Sequence, residues 1–169
     1  MQIRPATKDD LPPLIALVRR VVPLMRATGN LQWDNTYPNE AVFQRDIDLN
    51  QLWVAVVDGN IAGVAAVTMD QDPDYTQVGW DIEEPAIVVH RLAVDPAFRG
   101  LGAAGALMQK AEEVAVERGI TVLRVDTNTQ NEATQRLFPK LGYSLAGEIS
   151  LVYRPGLRFL CYEKRLLPN

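Results

Sequence analysis

The stretch VVHRLAVDPAFRGLGAAG, Val88 to Gly105, decides how the chain is read. Its first part, Val88 to Val94, is rich in β-branched and apolar residues and reads as a buried strand. Asp95-Pro96 stops that strand, because proline has no N–H for a ladder and restricts the residue before it. Arg99-Gly100-Leu101-Gly102-Ala103-Ala104-Gly105 then leads directly into an amphipathic stretch, Leu107 to Arg118. A glycine-rich turn that opens a helix gathers backbone N–H groups at the positive end of the helix dipole, where a phosphate or pyrophosphate is well held. The same glycines also suit a tight turn or close helix packing. No Gly-Lys-Ser/Thr follows, so the loop is not a P-loop, and its spacing is not GxGxxG.

Working outward, the N-terminal side alternates short periodic segments. Gln2 to Ala6 reads as a strand, and Thr7-Lys8-Asp9-Asp10 as a helix start with acids near the positive dipole end. Leu11, Leu14, Ile15, Leu17, Val18, Val21 and Val22 recur at helical spacing, with Pro23 expected to kink or end that helix. Thr28 to Pro38 has no period and carries Trp33 and Tyr37; Asn39 caps a second helix, Glu40 to Leu49. Leu52 to Val57 and Ile61 to Met69 form a hairpin through Asp58-Gly59. Asp70 to Glu84 is a polar excursion with six acids, no lysine or arginine, and two aromatics, Tyr75 and Trp80. Removing those six acids from a net charge of −4 leaves +2, so the acidity of the chain is concentrated there.

On the C-terminal side, Gly119 closes the long helix and Ile120 to Asp126 is a strand. Asn131 caps a short helix that Pro139 is expected to distort and Gly142 ends. Tyr143 to Tyr153 and Leu157 to Leu166 are two more strands joined by Arg154-Pro155-Gly156. The whole is an α/β domain, residues 1–169, with a central mixed sheet and helices on both faces.

Composition narrows the function. One cysteine, Cys161, excludes an internal disulfide and fits a reducing compartment, and with His90 the only histidine neither a two-cysteine nor a histidine-cluster metal site can form. The negative net charge argues against nucleic acid, and no apolar run is long enough to span a bilayer. A cytoplasmic, metal-free protein is the expectation, with a homodimer left open.

Two blocks carry a family resemblance. Arg99-x-x-Gly102-x-Ala104, after a strand ending Leu92-Ala93-Val94-Asp95-Pro96, resembles the acyl-CoA motif of the GNAT N-acetyltransferase superfamily. Asn131-Glu132-Ala133-Thr134-Gln135-Arg136-Leu137-Phe138-Pro139-Lys140-Leu141-Gly142-Tyr143 is similar to that family's Asn…Leu-Tyr…Leu-Gly-Phe segment, at the matching distance. The resemblance implies acetyl-CoA as co-substrate. Backbone groups of Leu92, Ala93 and Val94 would pair with the pantetheine arm. The loop Gly100, Leu101, Gly102, Ala103, Ala104, Gly105 would serve the pyrophosphate with Arg99 beside it, and Asn131 would bond the pantetheine.

It also implies direct attack of a primary amine, from a small molecule or a peptide, on the thioester. An amine of pKa ~10.4 is protonated at neutral pH, so a base must take its proton. Asp126 stands where some relatives carry a glutamate base; a carboxylate at a strand end can equally cap the following turn. Phe138 departs from the family tyrosine that protonates the leaving thiolate, which leaves Tyr143 or Tyr153 for that work, or none. His90 has the pKa of a base and also reads as a structural strand histidine. Cys161 reads as core. Trp33, Tyr75 and Trp80, with the acids around them, suit a cationic amine, and equally suit a solvated loop anchored by its rings. The chain is accordingly expected to be an N-acetyltransferase, with a catalytically silent acyl-CoA-binding domain as the alternative.

Overall fold

A computed structural model describes residues 1–167. Strands β1 (Gln2–Pro5), β2 (Leu52–Val57), β3 (Asn60–Thr68), β4 (Ile87–Val94), β5 (Val122–Asn128), β6 (Ser144–Ser150) and β7 (Arg158–Arg165) form one sheet, ordered β1-β2-β3-β4-β5-β7-β6. All neighbours are antiparallel except β4 and β5. Helices are α1 (Leu11–Ala27), α2 (Glu40–Asp48), α3 (Ala103–Glu117) and α4 (Glu132–Lys140). The mixed α/β sheet with helices on both faces is the architecture expected from the sequence.

Strand alternation sorts the side chains into layers. Ile87, Val89, Leu123 and Val125 pack under α3 and Phe138 of α4. On the opposite face, Val54, Val64 and Ala66 pack under α1 and α2, while Val88, Val122, Phe159 and Cys161 pack under Tyr75. The hairpin turn has φ of 49° at Asp58 and 77° at Gly59, the paired positive values of a two-residue turn.

Neither internal proline ends its helix. α1 runs through Pro23 to Ala27, and α4 through Pro139 to Lys140. Both prolines lie on exposed helix faces. The carbonyl that loses its helical donor at Pro23 belongs to Arg19, also exposed, so water can replace the missing bond.

The acidic excursion is more structured than its composition suggests. Residues 73–78 form a short 3₁₀ turn packed on β6, capped by Asp72, whose side chain accepts from Asp74 N. It is tied down by Arg124, whose side chain is 1% exposed. Arg124 pairs with Glu163 at 2.9 Å and Glu84 at 3.1 Å, and donates to Gln71 Oε1 and the Asp81 carbonyl. Its guanidinium also lies 4.8 Å from the Trp80 ring. Arg165 adds a second cation on Glu84 at 2.7 Å. Glu84 therefore spends its charge on the fold.

Arg124→Ala should lower unfolding free energy by about 3 kcal/mol, the lower end for removing one partner of a buried ion pair, because Glu84 and Glu163 keep some water. Urea unfolding at neutral pH measures this; a loss within ordinary surface values would mean that the excursion is held by Tyr75 and Trp80 alone.

Candidate active site

The site begins with a break in the sheet. β4 and β5 pair only at Ile87–Leu123 and Val88–Arg124, after which no ladder joins them. β4 also carries a bulge: Ala66 opposes His90 and Val64 opposes Ala93, so β4 spends one residue more than β3. Arg91 is the bulged residue, with φ of +54°. Its guanidinium turns to Asp46 of α2, with Nε–Oδ2 at 2.7 Å and Nη2–Oδ1 at 2.8 Å, and Nη1 donates to the Tyr37 hydroxyl at 3.2 Å.

Two connected hollows occupy the cleft. The inner one, about 80 Å³, is lined by Trp33, Tyr37, His90, Arg91, Leu92, Asp126, Asn131, Phe138, Tyr153 and Arg154, among others. The outer groove, about 610 Å³, includes Val94, Pro96, Arg99, Asn131 and Arg136 in its lining. Asn131 and Met25 border both.

At the outer end, Gly100 and Gly102 have φ of +81° and +83°, values that L residues adopt with strain. A Cβ built on either meets nothing within 4 Å, which removes close packing as the reason for glycine there. The first helical bond of α3 is Ala106 N to Gly102 O. Among the described residues, no acceptor is found for the N–H groups from Gly100 to Gly105. Leu101 is exposed and Ala103 buried under the sheet. Asn131 Oδ1 accepts from Thr134 N at 3.2 Å, which leaves its amide Nδ2 free to donate into the cleft. Of the residues expected on the central strand, Leu92 lines the inner hollow and Val94 the groove, whereas the Ala93 side chain packs in the core beneath α1.

Asp126 shares its sheet face with Arg124 and ends in the inner hollow. The hydroxyl of Tyr75, fully buried, donates to its Oδ2 at 2.6 Å. Burial raises the Asp126 carboxyl above its ordinary pKa; the Tyr75 hydrogen bond and nearby His90 oppose this, and Asp72 adds to it. Tyr75 itself is pushed well up by burial and by Asp126, so it stays a proton-bearing donor. His90 Nε2 donates to the Asp70 carbonyl at 2.9 Å.

The remaining aromatics divide. Trp33, only 4% exposed, lines the hollow from the α1–α2 connection. Trp80 stands edge-on to Tyr75, 5.2 Å between centroids, and lies outside the hollow's lining. Phe138 lines the hollow and packs against Tyr143 and Tyr162. Tyr143 sits behind it next to Glu112, whereas Tyr153 lines the hollow. Burial raises both hydroxyls, keeping them protonated. Burial also raises the Cys161 thiol, which disfavours a thiolate nucleophile. The Tyr75–Asp126 bond spans 51 positions, and no local motif announces it.

A profile described as the acetyltransferase (GNAT) family matches residues 19–143. The chain belongs to the GNAT acetyltransferase family. It is similar to human N-acetylaspartate synthetase, 30% identical over 112 residues, covering 66% of this chain and 33% of that protein. The chain thus spans about a third of the length of that relative. A GNAT family acetyltransferase from Streptococcus agalactiae 2603 superposes with a TM-score of 0.83 at 28% identity, over 99% of this chain and 96% of that one. The protein yncA from Salmonella typhimurium, solved with its cofactor acetyl-CoA, shares the fold, with a TM-score of 0.70 at 18% identity over 100% and 95% of the two chains.

A carboxyl whose folded pKa is raised binds its proton more tightly folded than unfolded. Its contribution to stability is complete below the unfolded value, ~3.9, and is lost as pH rises through the folded value. Asp126→Asn lacks this dependence. The stability of the variant relative to the parent should therefore improve as pH rises from ~4 and level off above the raised pKa. Urea unfolding of both proteins across that range checks the sign; a relative loss on raising pH would mean that the Tyr75 bond outweighs burial.

Proposed function

We propose that this protein is an acetyl-CoA-dependent N-acetyltransferase that moves the acetyl group directly to a primary amine, with Asp126 as the base. The observation that carries this reading is the Asp126 carboxyl, held in the inner hollow by Tyr75 with its Oδ1 free. Its raised pKa brings it closer to the pH at which a general base works best.

The cleft fits acetyl-CoA on three counts: unengaged N–H groups at an electropositive helix start, Arg99 and Arg136 beside a long groove, and a β4 edge without a strand partner. Gly100 to Gly105 and Arg99 hold the pyrophosphate, the main chain of Leu92 to Val94 pairs with the pantetheine arm, and Asn131 Nδ2 donates to it. Acetyl-CoA supplies the activated thioester. The amine nitrogen forms its bond to the acetyl carbon, the carbon–sulfur bond breaks, and the amine proton passes to Asp126. An N–H on the unpaired edge of β4 stabilises the charge developing on the acetyl oxygen. Phe138 has no proton to give, so the thiolate takes one from Tyr153 or leaves unassisted; with thiol pKa ~8.5 the gain from an acid is modest.

The second reading, a silent acyl-CoA-binding domain, is favoured by Phe138 alone. Both readings bind acetyl-CoA, and only the enzyme releases free thiol when an amine is added. The name of the human relative, N-acetylaspartate synthetase, puts free aspartate on the amine panel beside small polyamines and peptide N-termini.

Acetyl-CoA at 100 times its Kd should raise unfolding free energy by about 2.7 kcal/mol, and Gly102→Val should remove that gain while the apo protein stays folded. A melting scan of both proteins reads this; an unshifted parent would argue against the assignment. Asp126→Asn should lower the rate of thiol release by ~10²–10⁴, less at high pH, with acetyl-CoA affinity unchanged. Near-parental rates at neutral pH would remove Asp126 from the base role.

A further inference from the structure

The inner hollow holds a cation that the fold leaves unpaired. Of its two arginines, Arg91 is consumed by the bidentate contact with Asp46. Arg154, in the β6–β7 connection, has no carboxylate within 4 Å among the described residues. Asp34 senses its charge from beyond 4 Å, with Oδ1 accepting from Thr36 and the Tyr37 N–H.

Arg154 is nevertheless held in place. Nε donates to the Gln32 carbonyl at 3.1 Å and Nη1 to its neighbour Tyr153's carbonyl at 3.2 Å. The guanidinium lies 5.0 Å from the Tyr37 ring and 5.5 Å from that of Tyr153. Nη2 makes no bond among the described residues. A guanidinium fixed by neutral carbonyls and ring faces keeps its full charge and an open edge, which is the geometry that receives a carboxylate. The phosphates of acetyl-CoA have their own arginines, Arg99 and Arg136, in the outer groove and absent from the inner lining. Of the six acids of residues 70–84, Glu84 is paired with Arg124 and Arg165, while Asp72 and Asp74 accept from main-chain N–H groups.

We infer that the acceptor is a small aminocarboxylate, a free amino acid in chemical class, whose carboxylate is received by Arg154 while its amine faces Asp126. Both groups line one hollow, so a single acceptor placed there can meet both. The inference rests on the acetyltransferase reading and adds the acceptor class to it.

The test separates the two. Glycine, alanine and aspartate are compared with their α-carboxamides as acceptors in thiol release. N-acetylglycine and N-acetylglycinamide are titrated calorimetrically into the CoA complex, which needs no turnover. The parent should prefer the carboxylate of each pair by about tenfold or more, in KM and in product affinity, and Arg154→Gln should abolish that preference with the carboxamide values unchanged. Arg154→Lys should keep part of it, and serves if the glutamine variant does not fold. Acetyl-CoA affinity should be the same in all. Equal handling of acid and amide by the parent, or an intact preference in Arg154→Gln, overturns the inference while leaving the acetyltransferase reading in place. Acid-selective binding lost in Arg154→Gln without thiol release from any amine supports the carboxylate site and removes the transferase reading. No binding of either product overturns the inference.

Discussion

Everything distinctive about this molecule depends on two strands failing to stay together. β4 and β5 share two residue pairs and then part, although both continue for several residues. Parallel pairing would have satisfied that backbone internally; separation leaves donors and acceptors exposed along a cleft, at a cost that a ligand backbone can offset. The bulge at Arg91 belongs to the same event. One extra residue bends β4, and a positive φ at a long side chain is tolerated because Asp46 and Tyr37 hold its guanidinium. The outer groove is bordered by Pro96 and Arg99, just past the end of the bent strand, and the glycine-rich turn into α3 follows directly in the chain.

A second constraint is the handling of charge under the polar excursion. Period-two alternation on β5 sends Arg124 and Asp126 to one face, beneath residues 70–84. Arg124 collects carboxylates, an amide and a carbonyl, which is what a guanidinium 1% exposed requires. The fixed segment then carries Tyr75 down onto Asp126. The structural role of Arg124 and the proposed chemical role of Asp126 are thus adjacent on one strand, and the first sets the geometry of the second.

The inner hollow is electrostatically uneven. Asp126 is a carboxyl whose burial favours the neutral form, and Arg154 is a guanidinium with no carboxylate within 4 Å among the described residues. No ion pair joins them among the described residues. A site that keeps a carboxyl and a guanidinium apart is suited to a ligand bearing both complementary groups.

Local chemistry alone was enough to read the strand and turn at Val88–Gly105, the hairpin at Asp58-Gly59, the cap at Asn131 and the mixed α/β layout, because proline, glycine and hydrophobic period act over a few residues. The family could be read from the same two blocks for the same reason. What the sequence could not disclose lies in pairings across long separations. Pro23 was a poor stop signal because it faces water, a fact of packing. Six acids without a basic neighbour looked like a free anionic surface, yet Arg124 and Arg165, supplied by distant strands, neutralise part of it. Trp80 turns onto Arg124 and Tyr75 onto Asp126 because only the folded sheet brings residues about fifty positions apart to a common face. Arg154 likewise reads as one residue of a Pro-Gly turn until the fold sets it between Tyr37 and Tyr153, over the same hollow as Asp126.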